Sequence, residues 1–245
     1  MTSRWVLEPA YADLSPDFGS LASVFALEGE RITRDSISDV LRVEIAGVRY
    51  YVKRYRAIGS RLRTYFRRPR IEVEWLNLQR FSQWGILTAS IVAYGVERRC
   101  GAFSRGALIT RELEGAIDLA AMAANKDPRL ADPHWVDRIS RELATATRTL
   151  HEHRFAHNDL KWRNLLVDRQ GRLYFIDCPT GDFWWGPFLE RRVIKDLACL
   201  DKVAKYTLRR TQRLRFYLQY SGRQKLDASD KAKLRAVLKY FEGRE

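Results

Sequence analysis

The chain has 245 residues, of which 46% are hydrophobic and 30% are charged, and its formal net charge is +14. This length predicts one unit with a substantial core. The charged fraction and the lack of an apolar run of about 18 residues exclude a membrane-embedded class. The excess of Lys and Arg favours encounters with polyanions such as nucleic acid, anionic lipid or phosphorylated glycolipid, without choosing among them.

The start of the chain and its cysteines predict a cytoplasmic protein. The segment MTSRWVLEPAYADLSPDFGS lacks the charged region and apolar stretch of a secretory signal. Cys100, Cys178 and Cys199 are odd in number and show no CxxC spacing, which argues against a disulfide framework and against a zinc cage. We therefore expect a reducing compartment.

Strands are predicted in the first half of the chain. Residues 40–55, VLRVEIAGVRYYVKRY, alternate apolar and polar side chains around Ala46-Gly47, as a β-hairpin with one buried face does. Lys53 lies in the second strand of this hairpin. Short apolar runs at 91–96 and 107–110 predict two further strands.

Helices are predicted mainly in the second half. An apolar stripe over residues 71–84 predicts an earlier helix that ends at Gly85. A long helix opens at Asp132-Pro133 and reaches about residue 153. After a strand-like LYFI, the sequence from Leu189 onward is mostly helical. The predicted order is a β-rich first half and an α-rich second half.

The most informative stretch is HNDLKWRN, residues 157–164. It resembles the catalytic-loop pattern H-x-D-L-x-x-x-N of protein-kinase-like enzymes, in which the Asp and the Asn lie five positions apart, as Asp159 and Asn164 do. Asp177 follows the predicted strand LYFI and takes the place of the first residue of D-F-G. The spacing therefore predicts phosphoryl transfer.

The residue types suit this chemistry. Phosphoryl transfer needs a carboxylate that orients the attacking hydroxyl and accepts its proton, a role predicted for Asp159. Asn164 and Asp177 are predicted to hold Mg²⁺, since hard cations prefer amide and carboxylate oxygens, and Lys161 to neutralise charge on the transferred group. A lone Asp in a loop is more often a turn former or a helix cap. Three matched positions together favour catalysis.

A lysine that grips the α- and β-phosphates is also expected on a strand, paired with a helix glutamate. Lys53 in the context YYVK matches this requirement. Its partner is Glu72 or Glu74, and we favour Glu74 because it directly precedes Trp75. The alternative is that an early glutamate only complements the helix dipole.

The glycine-rich phosphate loop of kinases has no counterpart in the sequence. Residues 30–39, ERITRDSISD, contain no G-x-G-x-x-G. Thr33, Ser36 and Ser38 are the residues there that could offer backbone and hydroxyl donors to phosphates.

A hinge is predicted over residues 112–115, after the apolar strand ALIT. Its backbone, at Glu112 and Leu113, is expected to contact adenine. We therefore predict an α+β, two-lobed protein-kinase-like fold in a single domain. The N-lobe covers about 1–111 and the α-helical C-lobe about 116–245.

The histidines of HEHRFAH do not predict a zinc site, because no Cys or fourth ligand accompanies them. We interpret His157 as the structural histidine of the kinase loop. Asp196, in KDLA, is at the position where a kinase aspartate braces the catalytic-loop backbone, with a plain helix Asp as the alternative.

Taken with EVEWLNLQRFSQWGILTAS, ITRELEGAIDL, YFIDCP and TLRRTQRLRFYLQY, these motifs resemble the bacterial lipopolysaccharide core kinases, which phosphorylate inner-core heptose. The quoted segments sample nearly the whole chain. The resemblance implies ATP and Mg²⁺ as cofactors. It also implies a lipopolysaccharide core glycolipid as acceptor, at the cytoplasmic face of the inner membrane.

The chain departs from protein kinases at three points, of which the first removes control by a phosphorylated activation loop and the last disfavours a protein substrate. Asn158 replaces the arginine that binds a phosphorylated activation loop in many regulated kinases. Cys178-Pro179 replaces Phe-Gly after the metal aspartate. Only 19 positions (196 − 177) separate Asp177 from Asp196, with no A-P-E between them, which leaves little chain for a peptide platform.

The basic stretch Ile58–Arg70 mixes cations with Tyr65 and Phe66. It fits a contact with anionic glycolipid or the membrane surface, and a solvated helix face is an equal alternative. Nucleic acid is not expected as a partner, since no binding motif accompanies the charge. The alternatives to a glycolipid kinase are a kinase of another small molecule or of a protein, and a catalytically silent kinase-like binding module.

Overall fold

The computed structural model describes residues 2–34, 36–57 and 68–243. The chain forms two compact units. Unit 1 comprises Met1–Ser82 and Thr88–Leu113, and unit 2 comprises Gln83–Leu87 and Glu114–Glu245. Unit 1 is built on a β-sheet and unit 2 is mainly helical, which confirms the predicted α+β class.

Unit 1 contains a six-stranded antiparallel sheet with the order β1-β5-β6-β4-β3-β2. Its strands are β1 (Thr2–Leu7), β2 (Glu30–Arg34), β3 (Ser38–Ile45), β4 (Val48–Arg56), β5 (Ile91–Arg99) and β6 (Ala102–Arg111).

The predicted hairpin is formed by β3 and β4. Its two turn residues, Ala46 and Gly47, have φ values of 50° and 76°, as the tight turns that suit twisted hairpins require. Strand β4 is central in the sheet, and Lys53 is paired with Val40 on one side and Leu108 on the other. The sheet therefore holds the Lys53 backbone on both edges.

Short helices cover the sheet of unit 1. They are the 3-10 helix Pro9–Leu14, α1 (Ser15–Phe18) and α2 (Leu21–Ala26), and the longer α3 (Arg70–Gln83) corresponds to the predicted helix. Phe18 and Val24 are fully buried in the core, where the Phe18 ring packs edge-on against Tyr50 at 5.3 Å. The sequence pattern did not predict the elements before residue 30.

Unit 2 consists of five α-helices and short strands among the described residues. The helices are α4 (Leu119–Ala124), α5 (Pro133–Glu152), α6 (Gly186–Thr207), α7 (Arg210–Ser221) and α8 (Ala228–Lys239), with 3-10 turns at Pro128–Ala131 and Trp162–Asn164. The strands are β7 (Ile117–Asp118), β8 (Phe155–Ala156), β9 (Leu165–Val167), β10 (Leu173–Phe175) and β11 (Asp182–Phe183). They form a sheet β10-β9-β7 and a ribbon β11-β8.

Helix α5 begins where the sequence predicts it. The Asp132 carboxylate accepts the His134 amide at 2.9 Å, and Pro133 occupies the first turn, where its missing N–H costs nothing. The buried side of the helix includes Val136, Ile139 and Leu150. Two residues separate the end of this amphipathic helix from the ribbon that leads into the HNDLKWRN loop.

Candidate active site

Two short pieces of β-structure hold the HNDLKWRN loop. The loop leaves β8 at Ala156, ends in the 3-10 turn Trp162–Asn164 and continues directly into β9. Leu160 is fully buried and Trp162 is 4% exposed, so apolar side chains anchor the loop between its polar positions. This anchoring limits the positions that Asp159 and Lys161 can take.

Asp196 of α6 braces the start of this loop, as the sequence predicts. Its carboxylate accepts the backbone N–H of His157 at 2.7 Å and that of Asn158 at 2.8 Å. The aspartate is fully buried, and His151 Nε2 lies 3.4 Å from the same carboxylate. The Tyr220 hydroxyl lies 2.8 Å from His151 Nδ1. A chain of polar groups thus connects α7, α5 and α6 to the loop.

Asp159 and Lys161 lie together in the loop. The Lys161 ammonium is 2.5 Å from the Asp159 carboxylate, and the Arg163 guanidinium is 3.6 Å from it. The Asn164 amide nitrogen donates to the Asp159 carbonyl at 2.9 Å. Three of the residues matched by sequence are therefore neighbours in unit 2.

The charge state of Asp159 follows from these contacts. Partial burial acts to raise its pKa, but the hydrogen bond and positive charge of Lys161, with further help from Arg163, outweigh burial and hold the pKa below its usual value. The carboxylate is therefore ionised at neutral pH, the state that can accept a proton from a hydroxyl.

Asn164 and Asp177 are the predicted metal ligands. They are linked through the backbone, since the N–H of Ile176 donates to the Asn164 carbonyl at 3.0 Å. Asp177 has a φ of 57°, a left-handed conformation in which Asp is better tolerated than most residues and which clusters at functional sites. One amide and one carboxylate fit Mg²⁺, which takes its remaining ligands from water and substrate phosphates.

Asn158 ties the loop to the segment that follows Asp177. It has a φ of 65°, and its side-chain amide donates to the Thr180 carbonyl at 2.9 Å. The Thr180 hydroxyl also donates to the His157 carbonyl at 3.5 Å. Asn158, at the position of the regulatory arginine, thus links the loop to this segment by a direct hydrogen bond that does not require a phosphate group. The sequence analysis missed this role, although an Asn at this position is a signal for left-handed backbone.

Unit 1 carries the predicted lysine and glutamate pair. The Lys53 ammonium lies 2.9 Å from each carboxylate oxygen of Glu74, whose side chain is 5% exposed. Glu72 instead pairs with Arg98 at 3.4 Å. The preference for Glu74 as the partner of Lys53 is therefore confirmed.

Glu112 and Leu113 lie at the end of unit 1. The Glu112 carboxylate pairs with Arg49 at 2.7 Å and accepts the Tyr51 hydroxyl at 3.3 Å, while its N–H donates to the Arg49 carbonyl. Burial, and then the Glu112 charge, raise the pKa of Tyr51. The side chain and N–H of Glu112 thus serve the sheet, so its predicted adenine contact rests on the carbonyl. Both contacts stay predictions.

The residues predicted to contact phosphates lie on and between two strands of unit 1. Thr33 lies in β2 and Ser38 in β3, on two paired strands, and Ser36 belongs to the connection between them. Their contact with phosphates stays a prediction. Most of the basic stretch, residues 58–67, lies outside the described residues.

The sequence model of the Lipopolysaccharide kinase (Kdo/WaaP) family matches residues 21–220. The chain belongs to this family. A curated relative, the Lipopolysaccharide core heptose(I) kinase WaaP of Pseudomonas aeruginosa, is 25% identical over 162 residues, which are 64% of this chain and 60% of that protein. The match therefore spans less than two thirds of the relative's length.

A solved structure described as WaaP in complex with acyl carrier protein has the same fold as this family member. The TM-score is 0.74 at 24% sequence identity, over 98% of this chain and 97% of the other. This likeness confirms the predicted kinase-like fold. The family match confirms the resemblance drawn from the motifs.

The two other histidines of HEHRFAH have structural partners in this Kdo/WaaP family chain. His151 contacts Tyr220 and Asp196, as described above. The His153 ring stacks on Trp84 at 4.4 Å. Burial lowers the pKa of His157, which favours its neutral form. No group of three or more His, Cys, Asp or Glu that could hold a metal occurs among residues 2–34, 36–57 and 68–243.

Proposed function

We propose that the chain is an ATP-dependent kinase that phosphorylates a sugar hydroxyl of the lipopolysaccharide inner core, on heptose. The observation that carries this proposal is the Asp159 carboxylate, which is ionised, pairs with Lys161 and accepts the Asn164 amide at 3.4 Å, in a chain that belongs to the Kdo/WaaP family. A catalytically silent module has no evident need for this arrangement.

In the proposed reaction, Asp159 accepts a hydrogen bond from the acceptor hydroxyl and aligns its oxygen with the γ-phosphorus of ATP. The bond from this oxygen to phosphorus forms as the bond to the β–γ bridging oxygen breaks, and ADP leaves. The hydroxyl proton passes to Asp159 and then to solvent. Lys161 stabilises negative charge on the transferred group.

Lys53 and the segment at Glu112 and Leu113 are assigned to nucleotide binding in this proposal. Lys53, oriented by Glu74, contacts the α- and β-phosphates, and the backbone at Glu112 and Leu113 contacts adenine. Asn164 and Asp177 would hold Mg²⁺, which would supply charge neutralisation at the phosphates.

Two neighbouring glutamates allow a matched test of nucleotide binding. We expect Glu74→Gln to lower kcat/KM for Mg-ATP about 10- to 100-fold, because a charge-assisted hydrogen bond of about 1.5–3 kcal/mol no longer orients Lys53. Glu72→Gln, in the same turn of α3, should leave it nearly unchanged. Steady-state kinetics and nucleotide titration with and without Mg²⁺ measure both. Equal effects of the two variants would contradict the assignment of Lys53.

The acceptor is tested by supplying labelled ATP with purified core glycolipid, with a peptide library and with free monosaccharides. We expect label on the glycolipid heptose. Label on peptides alone would overturn the sugar-kinase proposal. Label on a free monosaccharide alone would keep the chemistry and remove the glycolipid acceptor, and no label with any acceptor would favour the silent module.

An acyl carrier protein is a further proposed partner, because the structural relative is described in complex with one. Unit 2 contains an apolar cavity lined by residues such as Val136, Ile139, Leu143 and Leu197. An apolar lining of this kind suits an apolar group such as part of an acyl chain. Mass spectrometry of the purified chain for a bound acyl carrier protein checks this.

The proposed acceptor places the reaction at the cytoplasmic face of the inner membrane, where this chain would act as a peripheral protein. None of the helices within the described ranges is long and apolar enough to cross a bilayer.

A further inference from the structure

Two large aromatic side chains are exposed at the start of α6. Trp185 is 60% exposed and Phe188 is 69% exposed. Gly186 and Pro187, which lie between them, are also exposed. Exposed apolar patches on folded proteins mark interaction surfaces, and two largely exposed aromatic side chains three positions apart point to one here.

Cations share the side of α6 that carries Phe188. Arg191, Arg192 and Lys195 follow it by three, four and seven positions, the spacing at which helical residues lie on one face. Glu190 follows by two positions and lies on another side of the helix. We name these five residues, Trp185, Phe188, Arg191, Arg192 and Lys195, the aromatic–cationic patch.

The aromatic–cationic patch rests on a well-packed base. The Arg192 guanidinium lies over the Trp184 ring at 4.4 Å, and the backbone N–H of Trp184 donates to the Arg154 carbonyl at 2.8 Å. The Phe183 ring packs edge-on against Phe155 at 5.4 Å. These contacts therefore form an ordered support that holds Trp185 and Phe188 at the surface.

The strand register limits the distance between the patch and the catalytic loop. Asp182 of β11 pairs with Ala156 of β8 in the antiparallel sense. From this pair the chain runs three residues to Trp185 in one direction and three residues to Asp159 in the other. At no more than about 3.3 Å per residue, Trp185 and Asp159 lie within roughly 20 Å of each other. The patch is therefore near the site of transfer.

We propose that the aromatic–cationic patch binds the surface of an anionic lipid bilayer. Trp185 and Phe188 enter the interfacial layer, where amphipathic rings are favoured, and Arg191, Arg192 and Lys195 contact lipid phosphates. The formal charge of +14 adds long-range attraction to such a surface. Arg154 adds a neighbouring exposed cation, whereas Asp182 and Glu190 are the exposed acids nearby.

Bilayer binding itself does not depend on catalysis. Its use, which is to hold the catalytic loop near an acceptor anchored in the membrane, rests on the proposed function. The limited distance between the patch and Asp159 would let sugars that project from the bilayer reach the loop.

The experiment is co-sedimentation with vesicles of phosphatidylglycerol and phosphatidylcholine, compared with phosphatidylcholine alone. We expect wild type to bind the anionic vesicles and Trp185→Ser with Phe188→Ser to bind them about tenfold more weakly or worse, since buried apolar area drives interfacial binding. Arg191→Gln with Arg192→Gln should weaken binding and reduce its salt dependence. The matched control is Tyr206→Ser, also on α6 and 79% exposed, which should bind as wild type does.

Three outcomes would overturn the proposal. They are vesicle binding unchanged by the double aromatic variant, equal loss in Tyr206→Ser, and loss of acyl carrier protein binding with vesicle binding intact. Assays with a delipidated, soluble core oligosaccharide separate this proposal from the kinase itself. The double variant should phosphorylate the soluble acceptor normally and the vesicle-embedded acceptor poorly. If the wild-type protein phosphorylates neither acceptor, the proposed function is wrong. The vesicle assay then still decides whether the patch binds a bilayer.

Discussion

Replacing Asp159 with asparagine is expected to lower kcat about 10²- to 10⁴-fold, the usual contribution of a positioned general base, while nucleotide affinity stays close to that of wild type. The amide can still hydrogen-bond but cannot take the hydroxyl proton. Steady-state kinetics with the acceptor and nucleotide titration measure the two effects. Near-normal turnover of Asp159→Asn would remove the mechanism.

The exposed Asp182 of β11 offers a control for this variant, because its replacement by asparagine changes the same charge outside the loop. We expect Asp182→Asn to turn over normally. The pH profile adds a second check. Since contacts with Lys161 hold the pKa of Asp159 below its usual value of about 3.9, activity should persist as pH falls towards that value. An acid limb well above it would assign the base to another group.

Replacing Asp196 with alanine is expected to reduce both stability and activity. The backbone N–H groups of His157 and Asn158 would lose their shared acceptor. Leaving a buried donor unsatisfied costs about 1–3 kcal/mol, so two donors predict a loss of about 2–6 kcal/mol in the free energy of unfolding. Denaturant unfolding measures this loss, and kcat reports the displaced loop.

Two further variants make this test decisive. Asp196→Asn keeps one acceptor oxygen and should lose less stability than Asp196→Ala, which guards against a variant that does not fold. Asp201 of the same helix pairs with Arg213 at 2.7 Å in a partly exposed site, where an ion pair contributes about 0–1 kcal/mol. If Asp201→Asn is as damaging as Asp196→Ala, the special role of Asp196 is wrong.

Local pattern was enough for the elements that the chain forms from neighbouring residues. The hairpin over residues 40–55 could be predicted because its signals, the strand alternation and the turn at Ala46-Gly47, each lie within a few consecutive residues. Helix α5 was readable because its cap and its apolar stripe are contiguous. The elements before residue 30 were not predicted, because a strand such as β1 is defined by its pairing with β5, which lies about 90 residues later in the sequence.

The sequence by itself determined the chemistry of the loop, since Asp159, Lys161 and Asn164 lie within six residues and their spacing sets which groups can meet. Only the tertiary structure decided between Glu72 and Glu74 as the partner of Lys53. Two residues on one helical turn look alike in sequence, and their partners on other elements distinguish them. The tertiary structure also decided that Asp196 braces the loop, because its hydrogen bonds join residues 39 and 38 positions apart. Such bonds form only when packing has already brought distant elements together.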